Sequence, residues 1–363
     1  MTILVFGLAT IAPATTLAAA SSPTCGNESP ARLAGAGPWA CTFDDEFDAS
    51  TGDASALNRS SWTPMVTADS GYTTGPTSDP VCYIDSPDTV SVSGGALHLT
   101  ISALPNATSC DGLFTTRYIG GMVTSVGNFD QTYGRFEVSA LLPQTTAKGL
   151  QETLWLYPQN LTYGPWPGSG EVDFSEFYSE YSSLDIPYIH YNYASSTAAP
   201  GSDTNKTTAD CPISLSQYNN YAVTWEPGSF TVTVNGATCL IDDYQADGGL
   251  SGAEPFDQPF FIALTQALGI GTNAFDPNTT PLPATTSVRY VRVWGSTPVG
   301  TAATPAAPAA TPAGPTAKAA SKIGTAAAKV RRRRRAATTA HRRRARRRHG
   351  SRRRAGSARP SRG

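Results

Sequence analysis

Charge is scarce in this chain and unevenly placed. Only 15% of its 363 residues are Asp, Glu, Lys or Arg, too few for a coiled coil. Beyond the N-terminus no stretch reaches the 18 or so consecutive apolar residues of a membrane-spanning helix. No C-x-x-C pair occurs, which argues against zinc-ribbon and thioredoxin-like chemistry. Sustained helical periodicity is missing as well. Basic residues are rare before position 318: 19 of the 27 Lys and Arg lie in 318–363, where there is no Asp or Glu. The first 317 residues therefore carry 8 basic groups against 28 acids, a net charge of −20. The formal net charge of −1 averages two unlike objects, an acidic body and a polycationic tail.

What is abundant is turn chemistry and aromatic side chains. The 33 Gly and 28 Pro are well above ordinary usage, and 40% of residues are hydrophobic. From about Trp39 to Trp294 short alternating runs are separated by Gly, Pro, Asn, Asp and Ser. Ala96–Ile101 alternates with period two, and so does Phe230–Val234, which follows Pro227-Gly228 and runs into Asn235-Gly236. An Asn-Gly pair between alternating runs is a strong hairpin signal. Val288–Trp294 reads as a final strand. Many short strands at regular spacing predict an all-β, two-sheet sandwich.

The ends read differently. Ile3–Ala18 is apolar, and Ala18-Ala19-Ala20 offers an A-x-A cleavage site, so residues 1–20 read as a secretory signal peptide and the localisation as secreted, with cell-surface association open. Residues 21–37 form a short N-terminal segment, 38–296 the folded domain, and 297–317 an Ala/Thr/Pro linker. Residues 318–363 cannot bury a core and are expected to be disordered. This tail lacks the interleaved aromatics that stack on bases, so nucleic acid is not expected and an anionic cell wall or membrane surface is the better partner. In an exported chain the six cysteines should pair. Fifteen pairings are possible, and the simplest joins sequence neighbours: Cys25–Cys41, Cys82–Cys110 and Cys211–Cys239. Six N-x-S/T sequons (Asn27, Asn58, Asn106, Asn160, Asn205, Asn278) matter only if the host glycosylates them.

Chemistry concentrates in Trp166-Pro-Gly-Ser-Gly-Glu171-Val-Asp173-Phe-Ser-Glu176. On a strand Glu171 and Asp173 share one face while Val172 and Phe174 point to the other. Glu176 stands at an odd offset from Glu171, so a regular strand would turn it into the core. A β-bulge after Asp173 restores it to the acidic face. Three carboxylates on one face repel one another unless one holds a proton or a cation is bound. Retaining glycoside hydrolysis needs such a mixture of an ionised nucleophile and a protonated acid. A calcium site or a solvated acidic face are the other readings.

Glu-Val-Asp-Phe-Ser-Glu resembles the bulged E-x-D-x-x-E signature of glycoside hydrolase family 16, in its laminarinase-like form. Thr42–Asp48, Tyr133–Glu137, Leu154–Leu156, His190-Tyr191, Tyr221–Pro227, Phe260–Gly271 and Val288–Trp294 resemble the family's other segments in order, covering roughly 38–296. The resemblance implies a β-jelly-roll, concanavalin-like sandwich of two curved antiparallel sheets. It implies Glu171 as nucleophile, Glu176 as general acid and then base, and Asp173 between them shaping ionisation. Trp166 would stack on a sugar, with Trp155, His190 and Gln266 lining the same cleft. Three departures stand out. Gln151-Glu152 replaces a frequent Trp-Pro, Thr265-Gln266 stands where an Asn-rich segment is common, and Arg289 stands where some members carry a calcium-ligating Asp, so no metal or cofactor is expected. Trp225, Trp294 and His98 read as structural. The function expected is a secreted, monomeric retaining endo-hydrolase of β-1,3-glucan. The alternatives are a non-catalytic glucan-binding module, or a hydrolase or transglycosylase acting on agarose or mixed-linkage glucan.

Overall fold

Two β-sheets face each other across one apolar interior. The computed structural model describes residues 23–30, 38–48, 56–191, 204–244 and 250–296. The expected signal peptide (1–20), linker (297–317) and basic tail (318–363) lie outside the described residues, as does most of 21–37.

The nine-stranded sheet runs Thr204–Thr207, Tyr188–Tyr191, Glu171–Tyr178, Leu150–Pro158, Phe260–Leu268, Met122–Thr124 and Thr63–Pro64, with Leu184–Asp185 beside Glu171–Tyr178 and Cys211–Pro212 beside Leu184–Asp185. The ten-stranded sheet is centred on Gly134–Leu141 and the long strand Ala284–Ser296. The ladders are antiparallel except for Val81–Tyr83 on Phe114–Gly120, a parallel pair with no marker in the sequence. Among the described residues the only α-helix is the single turn Thr67–Ser70.

Sequence patterning explains much of this. Asn235 and Gly236 have φ of +51° and +80°, the two left-handed residues of a type I′ turn, and they join Ser229–Val234 to Ala237–Asp242. Leu150–Pro158 alternates strictly, with Glu152, Leu154 and Leu156 buried and Gln151, Thr153, Trp155 and Tyr157 half-exposed. Trp225 and Trp294 are core. His98 is structural: its Nδ1 lies 2.9 Å from Ser287 Oγ on the paired strand. All six cysteines pair as the simplest scheme has it, with Cα separations of 5.7 Å for Cys25–Cys41, 5.8 Å for Cys82–Cys110 and 5.3 Å for Cys211–Cys239. The first bridge clips residues 24–28 onto Trp39–Asp45, where Arg292 also ties them down by pairing with both Glu28 (2.9 Å) and Glu46 (2.6 Å). Trp39 pairs with Ser296, so the two ends of the described domain meet at one edge.

One polar pair sits between the sheets. Glu152 and Gln266 are directly opposed on neighbouring strands and fully buried, at 1% and 0% exposure. Gln266 Nε2 donates to Glu152 Oε1, and Thr286 Oγ1 donates to Gln266 Oε1 at 2.8 Å. Gln266 therefore does not line a sugar cleft as expected. It is committed to the interior, and its neighbour Thr265 takes the outer face. Burial pushes the Glu152 carboxyl up to about 8, although the Gln266 amide opposes the shift. In the unfolded chain the same group ionises near 4.5. The folded state thus holds the proton longer, and stability falls as pH rises from about 5 to 8, at roughly 1.4 kcal/mol per unit. Glu152→Gln keeps the shape and removes the proton. It should melt level with the wild type near pH 5 and about 10 °C higher at pH 9 in thermal denaturation monitored by circular dichroism.

Candidate active site

The site is built on the outer face of the nine-stranded sheet, the face turned away from the other sheet. Glu171–Tyr178 pairs with Leu150–Pro158 in register at Val172↔Leu156 and Asp173↔Trp155, then slips so that Ser175 opposes Leu154 and Glu176 opposes Thr153. Phe174 is the extra residue. It is fully buried among the inter-sheet aromatics. The bulge expected after Asp173 is present, and it returns Glu176 to the face that Glu171 and Asp173 occupy. On the other side Glu171 pairs with His190 and Asp173 with Tyr188.

Around these acids the side chains interlock. His190 Nε2 lies 3.3 Å from Asp173 Oδ2. The His190 ring stacks on Tyr188 at 5.5 Å and meets Trp166 at 5.4 Å. Trp166 is 38% exposed, a large indole left open beside the carboxylates, and it hydrogen-bonds Glu171. The loop carrying it is fixed by Ser169, whose Oγ donates to Gly164 O at 2.8 Å. That loop ends at Gly170, where φ is +82° and a Cβ would drive into the Phe256 ring. Trp155 Nε1 donates to Thr265 Oγ1 at 2.9 Å, and Trp155 stacks on Tyr72 at 6.5 Å. Glu176 Oε1 accepts from Gln151 Nε2 at 2.5 Å, and its carboxyl also bonds Tyr178.

Burial raises the proton affinity of all three acids, and the charge of Asp173 adds to it at Glu171 and Glu176. Glu176 is pushed up to about 8, first by burial and then by the charge of Asp173. Glu171 is raised well above the usual carboxylate range by burial and by Asp173, with His190 and Trp166 opposing. Asp173 is raised by burial against the pull of His190. Asp173 and Glu171 are hydrogen-bonded to each other, which requires one proton between them because two carboxylates offer no donor. Asp173 Oδ1 is buried without an N–H or O–H donor, and a proton shared with Glu171 would satisfy it. The arrangement keeps a protonated Glu176 available at neutral pH while Asp173 and Glu171 divide the negative charge.

Trp166, Trp155 and His190 thus assemble with Glu171, Asp173 and Glu176, and Gln266 does not. The sequence alone assigned no site role to Gln151, Tyr178, Thr265, Tyr157 or Tyr72. The first two were accessible, since Tyr178 follows Glu176 by two and Gln151 precedes Trp155 by four. Tyr72 sits after the single helical turn, where no periodicity marks a face. Burial and the charges of Glu171, Asp173 and Glu176 raise its phenol well above the usual range. Among the described residues no cluster of three or more His, Cys, Asp or Glu is arranged to hold a metal ion.

A jelly-roll sandwich with interacting carboxyls and an open indole on one sheet face defines a carbohydrate-directed site. The chain belongs to the glycosyl hydrolases family 16, whose pattern matches residues 81–266. A keratan-sulfate endo-1,4-beta-galactosidase of Sphingobacterium multivorum is 35% identical over 49% of this chain and 40% of its own length. A glucan endo-1,3-beta-glucosidase of Cryptopygus antarcticus is 32% identical over 45% of this chain and 62% of its own length. The chain therefore spans less than two thirds of the length of each of these relatives. Among solved structures, the laminarinase of Rhodothermus marinus aligns with a TM-score of 0.57 at 24% identity, covering 70% of this chain and 97% of that one. The catalytic domain of an endo-1,3-beta-glucanase from Thermotoga petrophila RKU-1 aligns with the same score at 22% identity, covering 72% and 99%.

Thr265 anchors both Trp155 and Tyr72, since Tyr72 also bonds it. Thr265→Val is nearly isosteric but leaves the indole N–H and the phenol without this partner, at a cost of about 1–3 kcal/mol. The variant should melt several degrees lower than wild type in thermal denaturation monitored by circular dichroism.

Proposed function

We propose that this chain is a secreted retaining endo-hydrolase of β-1,3-glucan working by double displacement. The observation that carries the reading is the Phe174 bulge, which gathers Glu171, Asp173 and Glu176 on one sheet face. Glu176, protonated at neutral pH, delivers its proton to the leaving glycosidic oxygen. Glu171 attacks the anomeric carbon and forms a glycosyl-enzyme. Glu176, now ionised, takes a proton from water as the water oxygen displaces Glu171. Asp173 keeps the proton it shares with Glu171 as Glu171 bonds, and the negative charge passes to Glu176. Trp166 and Trp155 offer ring faces to pyranose C–H groups. The names of the glucanase relatives favour a β-1,3-glucan. The net charge of −20 on residues 1–317 disfavours encounter with sulfated polymers.

Product analysis on laminarin, lichenan, agarose, carrageenan and keratan sulfate tests the substrate. Laminarin should be cut fastest, into oligosaccharides whose new reducing ends are first seen by NMR as the β-anomer. Release of the α-anomer first would overturn the retaining mechanism. Glu171→Gln should abolish turnover while glucan binding survives, whereas a pure binding module would be indifferent to it. Glu176→Gln should lower kcat on laminarin by about 10²–10⁴-fold. Wild-type kcat/KM should fall above pH 8 as Glu176 loses its proton.

The Arg-rich tail fits a role in holding the enzyme on an anionic cell wall or membrane surface, with the domain itself monomeric. Removing residues 318–363 should leave activity on soluble laminarin unchanged and abolish retention on anionic vesicles at low salt. Equal retention with and without those residues would remove the tether from the reading.

A further inference from the structure

Gln151 stands where the family resemblance leads one to expect an aromatic ring, and it is not idle. It lies on the outer face at the start of Leu150–Pro158, opposite Tyr178 on one side and Ala267 on the other. Its amide Nε2 is 2.5 Å from Glu176 Oε1. Its backbone rests on a buried brace. Asn273, 2% exposed, donates from Nδ2 to Leu150 O at 2.7 Å and accepts at Oδ1 from Gly149 N (3.1 Å) and Glu180 N (3.0 Å). Ser179 Oγ accepts from Leu150 N at 3.0 Å. The brace joins the beginning of Gln151's strand to the end of Glu176's strand, so the two side chains are presented to each other by clamped backbone on both sides.

We propose that Gln151 is a positioning residue for the acid/base: its amide N–H occupies Glu176 Oε1 and so reserves Oε2 as the oxygen that carries the transferable proton. The inference rests on the hydrolase reading for its catalytic meaning, but the contact itself is independent of it. A carboxyl with both oxygens free can hold its proton on either, and only the oxygen aimed at the leaving group is productive. Alongside the carboxyl's other donor, Tyr178, Gln151 engages one of the two oxygens and so narrows that choice. The same donor favours the ionised form that must act as base in the second step, and so opposes burial. The other groups facing Glu176 are Asp173, Glu171 and Tyr178 on its own strand, His190 on the neighbouring strand and Tyr72 from the loop after the helical turn. On Leu150–Pro158 the remaining ionisable groups are Tyr157, near Glu171, and Glu152, which points to the opposite face. Among these neighbours Gln151 is a neutral donor that can be removed without changing the local charge.

Gln151→Met keeps length and removes the donor, and Gln151→Leu serves if that variant folds poorly. Two readouts decide. In protein labelled with carbon-13 at Glu carboxyls, the Glu176 resonance, identified by its loss in Glu176→Gln, should titrate about one pH unit higher in Gln151→Met than in wild type. The alkaline limb of kcat/KM on laminarin should move up with it. At neutral pH kcat/KM on laminarin should fall about tenfold, while kcat/KM on a dinitrophenyl β-glucoside, whose leaving group needs no proton, should stay within threefold. An unchanged or lower titration midpoint overturns the proposal even if the protein proves not to be a hydrolase, and so does an equal loss on both substrates. A raised midpoint with an unmoved kinetic limb instead overturns Glu176 as the acid, and with it the role given to Gln151.

Discussion

A strand offers its side chains to alternate faces, and everything at this site follows from one breach of that rule. Glu171 and Asp173 obey the alternation, and Glu176 reaches their side because Phe174 is an extra residue on its own strand with no counterpart on its neighbour's. The extra residue is a large apolar one. Its ring is driven into the inter-sheet core, so the hydrophobic effect holds the irregularity in place. The carboxyl cluster is thus stabilised from beneath by packing that no sugar ever touches.

Carboxyl groups are treated in two ways in this fold. On the outer face they are crowded with donors and with each other, so that protons are shared and charge can move. Between the sheets Glu152 and Asp185 are sealed away, and burial pushes Asp185 up to about 7 even with Ser175 donating to it at 2.8 Å. The interior acids meet fixed neutral partners and have no route to water. The same residue type therefore serves reactivity on one side of a strand and interior hydrogen bonding on the other, with the pleat as the divider. Gln151 and Glu152 are adjacent in sequence and embody the division.

Much of this was legible in the residues. The Asn235-Gly236 hairpin and the bulge each rest on a local rule with a strong physical cause, whereas the neighbour-to-neighbour disulfides were only the simplest of fifteen pairings. Gln266 was misplaced for an equally physical reason. All nine residues of Phe260–Leu268 are buried, because both faces of that strand are covered. A strand buried on both sides loses its alternation and gives no sign of which residues face which way. Thr265 and Gln266 were indistinguishable until the pairing with Trp155's strand was known. Tyr72 and Asn273 escaped because each comes from a connection whose path only tertiary structure determines. The parallel pair Val81–Tyr83 on Phe114–Gly120 escaped for the same reason.

The pairing of Trp39 with Ser296 has a geometric corollary for the whole molecule. Both belong to the ten-stranded sheet, whereas the reactive carboxyls stand on the far side of the other one. The chain therefore leaves Ser296 from the sheet that does not carry the acids. A pull applied at Ser296 loads the ten-stranded sheet first and reaches Glu171, Asp173 and Glu176 only through the packing between the sheets.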